Sequence, residues 1–195
     1  MIKVTPKIRR VNSAIAVSLM LAHTTFIGCN KNICNLRVNI LNKPLDEANS
    51  ISTANQIDSK TKSPFDTAYK AALILKDAVY VQGFLGFQGQ PFRPIEHSWI
   101  EFDDRIIDPN LPHLGKKAAD LHYFPAQKLT VKKLKAEIEE AKEDYPDDEP
   151  LPIYGSQPYE YYGDVMLGGK EYLKAYEAAV AKCKELNHPQ SKNLN

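Results

Sequence analysis

Pro94-Ile95-Glu96-His97-Ser98-Trp99-Ile100-Glu101-Phe102, then Asp103-Asp104, then Arg105-Ile106-Ile107-Asp108-Pro109, is the most informative segment of the chain. Both flanks are rich in β-branched and aromatic residues, and the acidic pair between them has turn chemistry. The stretch therefore reads as a tight β-hairpin. Side chains alternate across a strand, so His97 and Trp99 share one face while Glu96 and Ser98 point to the other. Asp108 follows His97 by 11 residues and ends the second strand. Residues opposite each other in an antiparallel pair have Cβ atoms about 4.5–5.5 Å apart, so a carboxylate within reach of an imidazole is expected. Register, which sequence leaves open, decides whether the two meet. A His oriented by an Asp is the general-base half of a nucleophilic site.

Working outward, Ala78 to Phe87 reads as a further strand, rich in aromatic and β-branched residues. Gly89 to Pro91 is a turn. Upstream, Ser63-Pro64 offers a helix start, and Phe65, Ala68, Tyr69, Ala72 and Leu73 recur at helical spacing through Asp77. Downstream, Pro109 to Tyr123 reads as irregular. Thr130 is an N-cap for a helix reaching Asp144, packed through Val131, Leu134 and Ile138. Its lysines stand at the start and its acids at the end, the unfavourable order for the helix dipole. Pro146 to Pro158 is a proline-rich loop, and Lys170 to Asn187 is a last helix with Tyr172, Leu173, Tyr176, Ala179 and Val180 on one side. The fold class expected is α+β: a helix, then an antiparallel sheet, then C-terminal helices.

The 195 residues suffice for one domain with a tail. Twenty-five basic and 24 acidic residues leave a formal net charge of +1, which argues against nucleic acid as a partner. Lys3, Lys7, Arg9 and Arg10 precede an apolar stretch, Ala14 to Ala22, too short to span a bilayer, which needs about 20 apolar residues. Residues 1–29 thus read as an export signal. Residues 30–62, rich in Asn, Ser, Thr and Lys, read as a tether in which Leu36 to Ile40 has strand alternation. The domain is expected over 63–187 and a disordered tail over 188–195. Cys29, Cys34 and Cys183 lack metal-ligand spacing. Cys34 and Cys183 are either unpaired, the preferred reading, or joined in an oxidising compartment. The acids of 137–140 and 147–149 read as solvated charge. Tyr154, Tyr159, Tyr161 and Tyr162 either pack a loop onto the domain or floor a groove. Nothing in the composition or spacing implies a cofactor or metal.

Two resemblances follow from these residues. Gly28-Cys29 after an apolar stretch resembles the lipobox of bacterial lipoproteins, with Phe26 where Leu is usual. That resemblance implies lipidation of Cys29 and a cell-envelope location; plain secretion and an uncleaved anchor are the alternatives. Second, Ala68-Tyr69-Lys70-Ala71-Ala72, Tyr80-Val81-Gln82-Gly83, Glu96-His97-Ser98-Trp99 and Asp108-Pro109 resemble, in order, a pattern of small bacterial and phage members of the papain-like and transglutaminase-like cysteine hydrolases: Cys-Tyr-x-Asn-Ala, Tyr-Val-x-Gly, Glu-His-Ala-Trp and Asp-Pro. The resemblance covers roughly Pro64 to Asn110.

It implies a papain-like or transglutaminase-like core in which His97 and Asp108 form the catalytic dyad and Trp99 and Tyr69 belong to the binding cleft. Trp99 alternatively fills core. Ala68 occupies the place of the nucleophilic Cys, and Ala71 that of the Asn. A methyl group attacks no carbonyl, so the implied protein is a catalytically dead relative that binds a peptide, an envelope component or a partner protein. An active hydrolase or acyltransferase using another nucleophile (Ser63, Thr67 or Cys34) is the competing reading. A surface lipoprotein unrelated to the family is the third.

Overall fold

A computed structural model describes residues 43–59 and 63–188. Its architecture is α+β. Four strands form one antiparallel sheet: β1 (Val79–Gly86), β2 (Ile95–Phe102), β3 (Arg105–Ile107) and β4 (His122–Thr130), in the order β3-β2-β1-β4. Asp103 and Asp104 close the β2–β3 hairpin, both with positive φ, a conformation that Asp tolerates better than most residues. A small antiparallel pair, β5 (Tyr159–Tyr162) and β6 (Val165–Gly168), stands apart from the main sheet.

The two faces of the main sheet bury different things. Tyr80 and Ile100 are paired across β1 and β2, and they cluster with Ala68, Ala71 and Ala72 of α2 (Pro64–Ile74) and with Leu134 and Ile138 of α4 (Val131–Asp144). Farther along the same face, Phe84 and Phe124 pack on Tyr172, Ala175 and Ala179 of α5 (Lys170–Asn187). The opposite face carries Val81, Leu85, Trp99, Ile106 and Tyr123. It is covered by Leu111 of the short helix α3 (Leu111–Leu114), by Phe87 and by Leu121. Small alanines let α2 approach the sheet closely, because an alanine places only a methyl group between backbones.

Three helices start where their caps are. Ser63 Oγ accepts from Asp66 N–H at 3.5 Å and precedes Pro64, whose fixed φ suits the first helical position. Thr130 Oγ1 accepts from Lys133 N–H, as expected of an N-cap. Asp46 Oδ1 accepts from Asn49 N–H and opens α1 (Glu47–Gln56).

That last helix is a correction. Residues 30–62 read as a tether, yet Glu47–Gln56 is a helix with Ser50, Thr53 and Ala54 buried. Its apolar content is low, so hydrophobic periodicity did not reveal it. Side-chain and backbone hydrogen bonds hold it instead. Ser50 Oγ donates to Asp46 O, Asp46 N–H donates to Ile106 O, and Ile106 N–H donates to Pro44 O. The stretch read as irregular is also partly ordered: Leu111–Leu114 is helical, and β4 begins at His122. β4 escaped notice because Pro125 and Lys128 interrupt its pattern. A bulge opposite Gln82 and Gly83 accommodates an extra residue there. Cys29, Cys34 and residues 36–40, with the export signal of residues 1–29, lie outside the described residues. Cys183 is a buried free thiol whose pKa burial pushes up. No helix among the described residues is long and apolar enough to cross a membrane.

One buried polar network fastens the proline-rich loop to the sheet. Gln82 is fully buried, with its Oε1 accepting from Tyr80 OH and Ile153 N–H. Its Nε2 donates to Ile153 O and Tyr172 OH. Every hydrogen-bonding position of the amide is used, which is the condition under which a buried amide stabilises rather than costs.

Candidate functional site

The site grows from the β2–β3 hairpin. Register pairs Ile100 with Ile107 and Glu101 with Ile106. One further step along that ladder sets Asp108 beside Trp99, so Asp108 reaches His97 diagonally on the same face of the sheet. The reach is real: His97 Nε2 donates to Asp108 Oδ2 at 2.7 Å. Both side chains are shut away from solvent, at 1% and 0% exposure.

Asp108 is held from every side. Tyr123 OH donates to Oδ2 at 2.8 Å, and Asn110 N–H donates to Oδ1 at 2.9 Å. The Asp108 N–H donates to Ser50 Oγ at 2.9 Å, which ties the carboxylate's backbone to α1. A carboxylate accepting three hydrogen bonds acts only as an acceptor, so the His97 proton lies on Nε2 and Nδ1 is the nitrogen left to a ligand. Burial, and then the charge and hydrogen bond of Asp108, hold the Tyr123 phenol well above its ordinary pKa, so it remains a donor.

Trp99 stacks on the His97 ring at 6.4 Å between centroids, and Tyr123 meets Trp99 edge-on at 5.1 Å. Trp99 is fully buried, so it is core beneath the imidazole and not the wall of an open groove. Its Nε1–H has no hydrogen-bond partner, and neither has Asn110 Oδ1.

A depression of about 270 Å³ lies in front of His97, where β1 leaves the sheet and β2 enters it. Pro64, Phe87, Ile95, Glu96, Asn110 and Leu114 are among its walls. The α2 residue on this wall is Pro64, in the first turn, and not Ala68. Ala68 is fully buried in the cluster of Tyr80 and Ile100, against the sheet face opposite to the one His97 occupies. The structure thus brings His97, Trp99 and Asp108 together and leaves Ala68 about one helical turn from the depression's edge. Tyr69 is elsewhere: it lines a separate groove of about 650 Å³ with Ser63, Asp66, Ile138, Lys142 and Leu151.

The hydroxyls near α2's start are engaged locally. Ser63 Oγ caps the helix, and Thr67 Oγ1 donates to the carbonyls of Ser63 and Pro64 at 3.0 and 3.1 Å. A buried hydroxyl turned back on its own helix has no free path to a carbonyl carbon. His113, by contrast, is a loop anchor: its Nε2 meets Ser59 O at 2.6 Å.

Sequence reasoning missed Ser50, Tyr123, Asn110 and Pro64. Ser50 fell in the stretch read as tether, and Tyr123 at the end of the stretch read as irregular. The contact with Asn110 had a usable signal in Asp108, since an Asp side chain commonly accepts from the backbone N–H two residues on. Comparison with family models, with curated proteins and with solved structures gives no match to this chain.

Proposed function

We propose that this is an exported, lipid-anchored domain of papain-like or transglutaminase-like descent. It retains the base half of a cysteine-hydrolase site without a nucleophile, and it binds a peptide segment of an envelope component or partner protein at the depression before His97. One observation carries the reading. The buried His97–Asp108–Tyr123 arrangement is built to orient an imidazole, yet the helix turn that borders it offers Pro64, which has no group that can attack a carbonyl. A polar assembly of this kind is costly to bury and brings no obvious packing advantage over apolar side chains, which argues for a binding role.

The test uses thiols at both helical positions. In Pro64→Cys the new thiol lies at a helix N-terminus beside His97, and its pKa should fall. Alkylation by iodoacetamide near neutral pH should then run about tenfold faster than in Ala68→Cys, as thiolate fraction dictates. His97→Ala should abolish the difference. Equal, slow reaction at both positions would remove the basis for descent from a nucleophilic enzyme. An acyl probe that labels Ser63 or Thr67 of the unaltered protein, and stops doing so in His97→Ala, would replace the silent reading with an active one. For the anchor, metabolic labelling with a fatty-acid analogue should mark the full chain and be lost in Cys29→Ser; persistent labelling would move the lipid elsewhere.

A further inference from the structure

The loop between β1 and β2 puts a knob beside a hole. Phe87 and Ile95 stand at its two feet, and with Leu114 they line the depression before His97. All three belong to the apolar cluster around Trp99, on the sheet face that carries His97. The polar groups of this wall are engaged or turned elsewhere. The Glu96 carboxylate rests against Gly163, where an added Cβ would come within 2.8 Å of Oε1. Asn110 is buried, and His113 Nε2 meets Ser59 O at 2.6 Å. The depression therefore offers a visitor mainly apolar surface. Its volume of about 270 Å³ suits one side chain better than a small molecule, whose sites usually measure about 300–1,000 Å³.

Phe92, near the tip of the same loop, is not among the residues lining the depression, and it is 59% exposed. Its φ of 61° is left-handed, a conformation that a bulky residue adopts only at a cost. The fold holds it there. Phe92 N–H donates to Gly89 O at 2.8 Å, Gly89 N–H donates to Asn187 Oδ1 at 2.8 Å, and Lys116 Nζ donates to Gln88 O at 3.2 Å. Strain retained at a mostly exposed ring brings little inside the fold, whereas a ring already held in place binds at lower entropic cost. Charges around the loop are mixed: Arg93 and Asp164 both act on Glu96, and Lys182 pairs with Glu185 in the last turns of α5. A partner of one sign gains little from such a patch, and an identical patch is not repelled by it.

We propose that the partner at this depression is a second copy of this chain: across a two-fold axis beside the β1–β2 loop, Phe92 of each copy seats against Phe87, Ile95 and Leu114 of the other. Knob and hole lie on one loop, so a single rotation serves both insertions, as an isologous contact requires. Two aromatic insertions, at about 150–250 Å² each, fall short of the roughly 800 Å² that each partner buries in a stable complex. The dimer is accordingly weak and concentration-dependent. The inference rests on the reading of the depression as a peptide-binding site and names its partner.

Sedimentation equilibrium of the full chain, from micromolar to millimolar concentration, should show a monomer–dimer equilibrium. Phe92→Gly removes the ring and suits the left-handed φ, and it should weaken association by about tenfold or more. Its melting temperature should not fall; a marked fall would put the ring's role inside the fold and overturn the inference. In a mixture of isotopically labelled and unlabelled chains, NOEs from an unlabelled aromatic ring should reach the Leu114 methyls, and should vanish when the unlabelled chain carries Phe92→Gly. A chain that stays monomeric, or a dimer that survives Phe92→Gly unchanged, overturns the second copy as partner. Nα-acetyl-phenylalanine amide separates that failure from failure of the binding site. Added to the Phe92→Gly chain, it should shift the Ile95 and Leu114 methyls saturably, while Nα-acetyl-alanine amide should not. If the chain is monomeric and the aromatic probe still binds, the second copy is wrong and the peptide site stands. If neither occurs, the binding role falls as well.

Discussion

Asp108→Ala should lower the unfolding free energy by about 3–5 kcal/mol, the scale of breaking a buried hydrogen-bond network and leaving its donors unpaired. The reason lies in what the carboxylate leaves behind. His97 Nε2–H, Tyr123 OH and Asn110 N–H all donate to it, and in the variant all three lose their acceptor inside the fold. Each orphaned donor carries a desolvation penalty, and the deleted volume adds a cavity. For a domain of this size the melting temperature should fall by about 10 °C, at about 2–4 °C per kcal/mol. Asp108→Asn is the informative companion. Its single carbonyl oxygen serves either the His97–Tyr123 side or the Asn110 side, and its NH2 then opposes a donor on the other. An intermediate loss is expected. Urea unfolding monitored by Trp99 fluorescence reads both. A loss below about 1 kcal/mol in Asp108→Ala would mean that water or a rearranged loop replaces the carboxylate.

Gly83→Ala should be of comparable size and should act through backbone. Gly83 stands opposite His97 on β2 and opposite Pro125 on β4. A Cβ there would collide with the Phe124 carbonyl oxygen and lie 3.0 Å from Ala126 N. Both are main-chain atoms at the bulge, so no side chain can swing aside to relieve the clash. The strands must separate, and overpacking that displaces backbone costs about 3 kcal/mol or more. Gly115→Ala provides the control. Its φ of 63° makes a side chain unfavourable, but nothing lies within 4 Å of its added Cβ. That variant should lose about 1–2 kcal/mol from conformation alone. Equal losses at the two positions would show that close approach of β4 to β1 is not what requires glycine at 83.

The contrast between these glycines explains much about what the sequence disclosed. The β2–β3 hairpin was legible because Asp103-Asp104 and the flanking alternation are local signals. The helices at 131–144 and 170–187 were legible from cap chemistry and apolar spacing. Non-local determinants were not. Gly83 looked like one member of a motif, and its need for closeness to Phe124 is visible only once β4 is paired. α1 has few apolar residues, and its anchoring to Ile106 and Asp108 depends on partners about 50–60 positions away. At the site, the hairpin put His97 and Asp108 on neighbouring strands and left only their register open, whereas Tyr123 and Ser50 come from segments whose local signals were weak. The placement of Ala68 illustrates the same limit. Helical periodicity says which residues share a stripe, but not which turn of the helix borders a given strand end.

The short backbone ladder between Pro44, Asp46 and Ile106 has a consequence for how this protein behaves among its neighbours. β3 is an edge strand, and an edge with free N–H and C=O groups is a template on which another chain can polymerise. Here Ile106 N–H is taken by Pro44 O, and Ile106 C=O by Asp46 N–H, at 2.9 and 2.8 Å. Leu45 meanwhile packs with the apolar cluster below. The segment leading into the domain therefore closes the side of the sheet nearest Asp108. It denies foreign strands a foothold there, so copies of the domain that meet at this edge find no row of free backbone groups on which to pair.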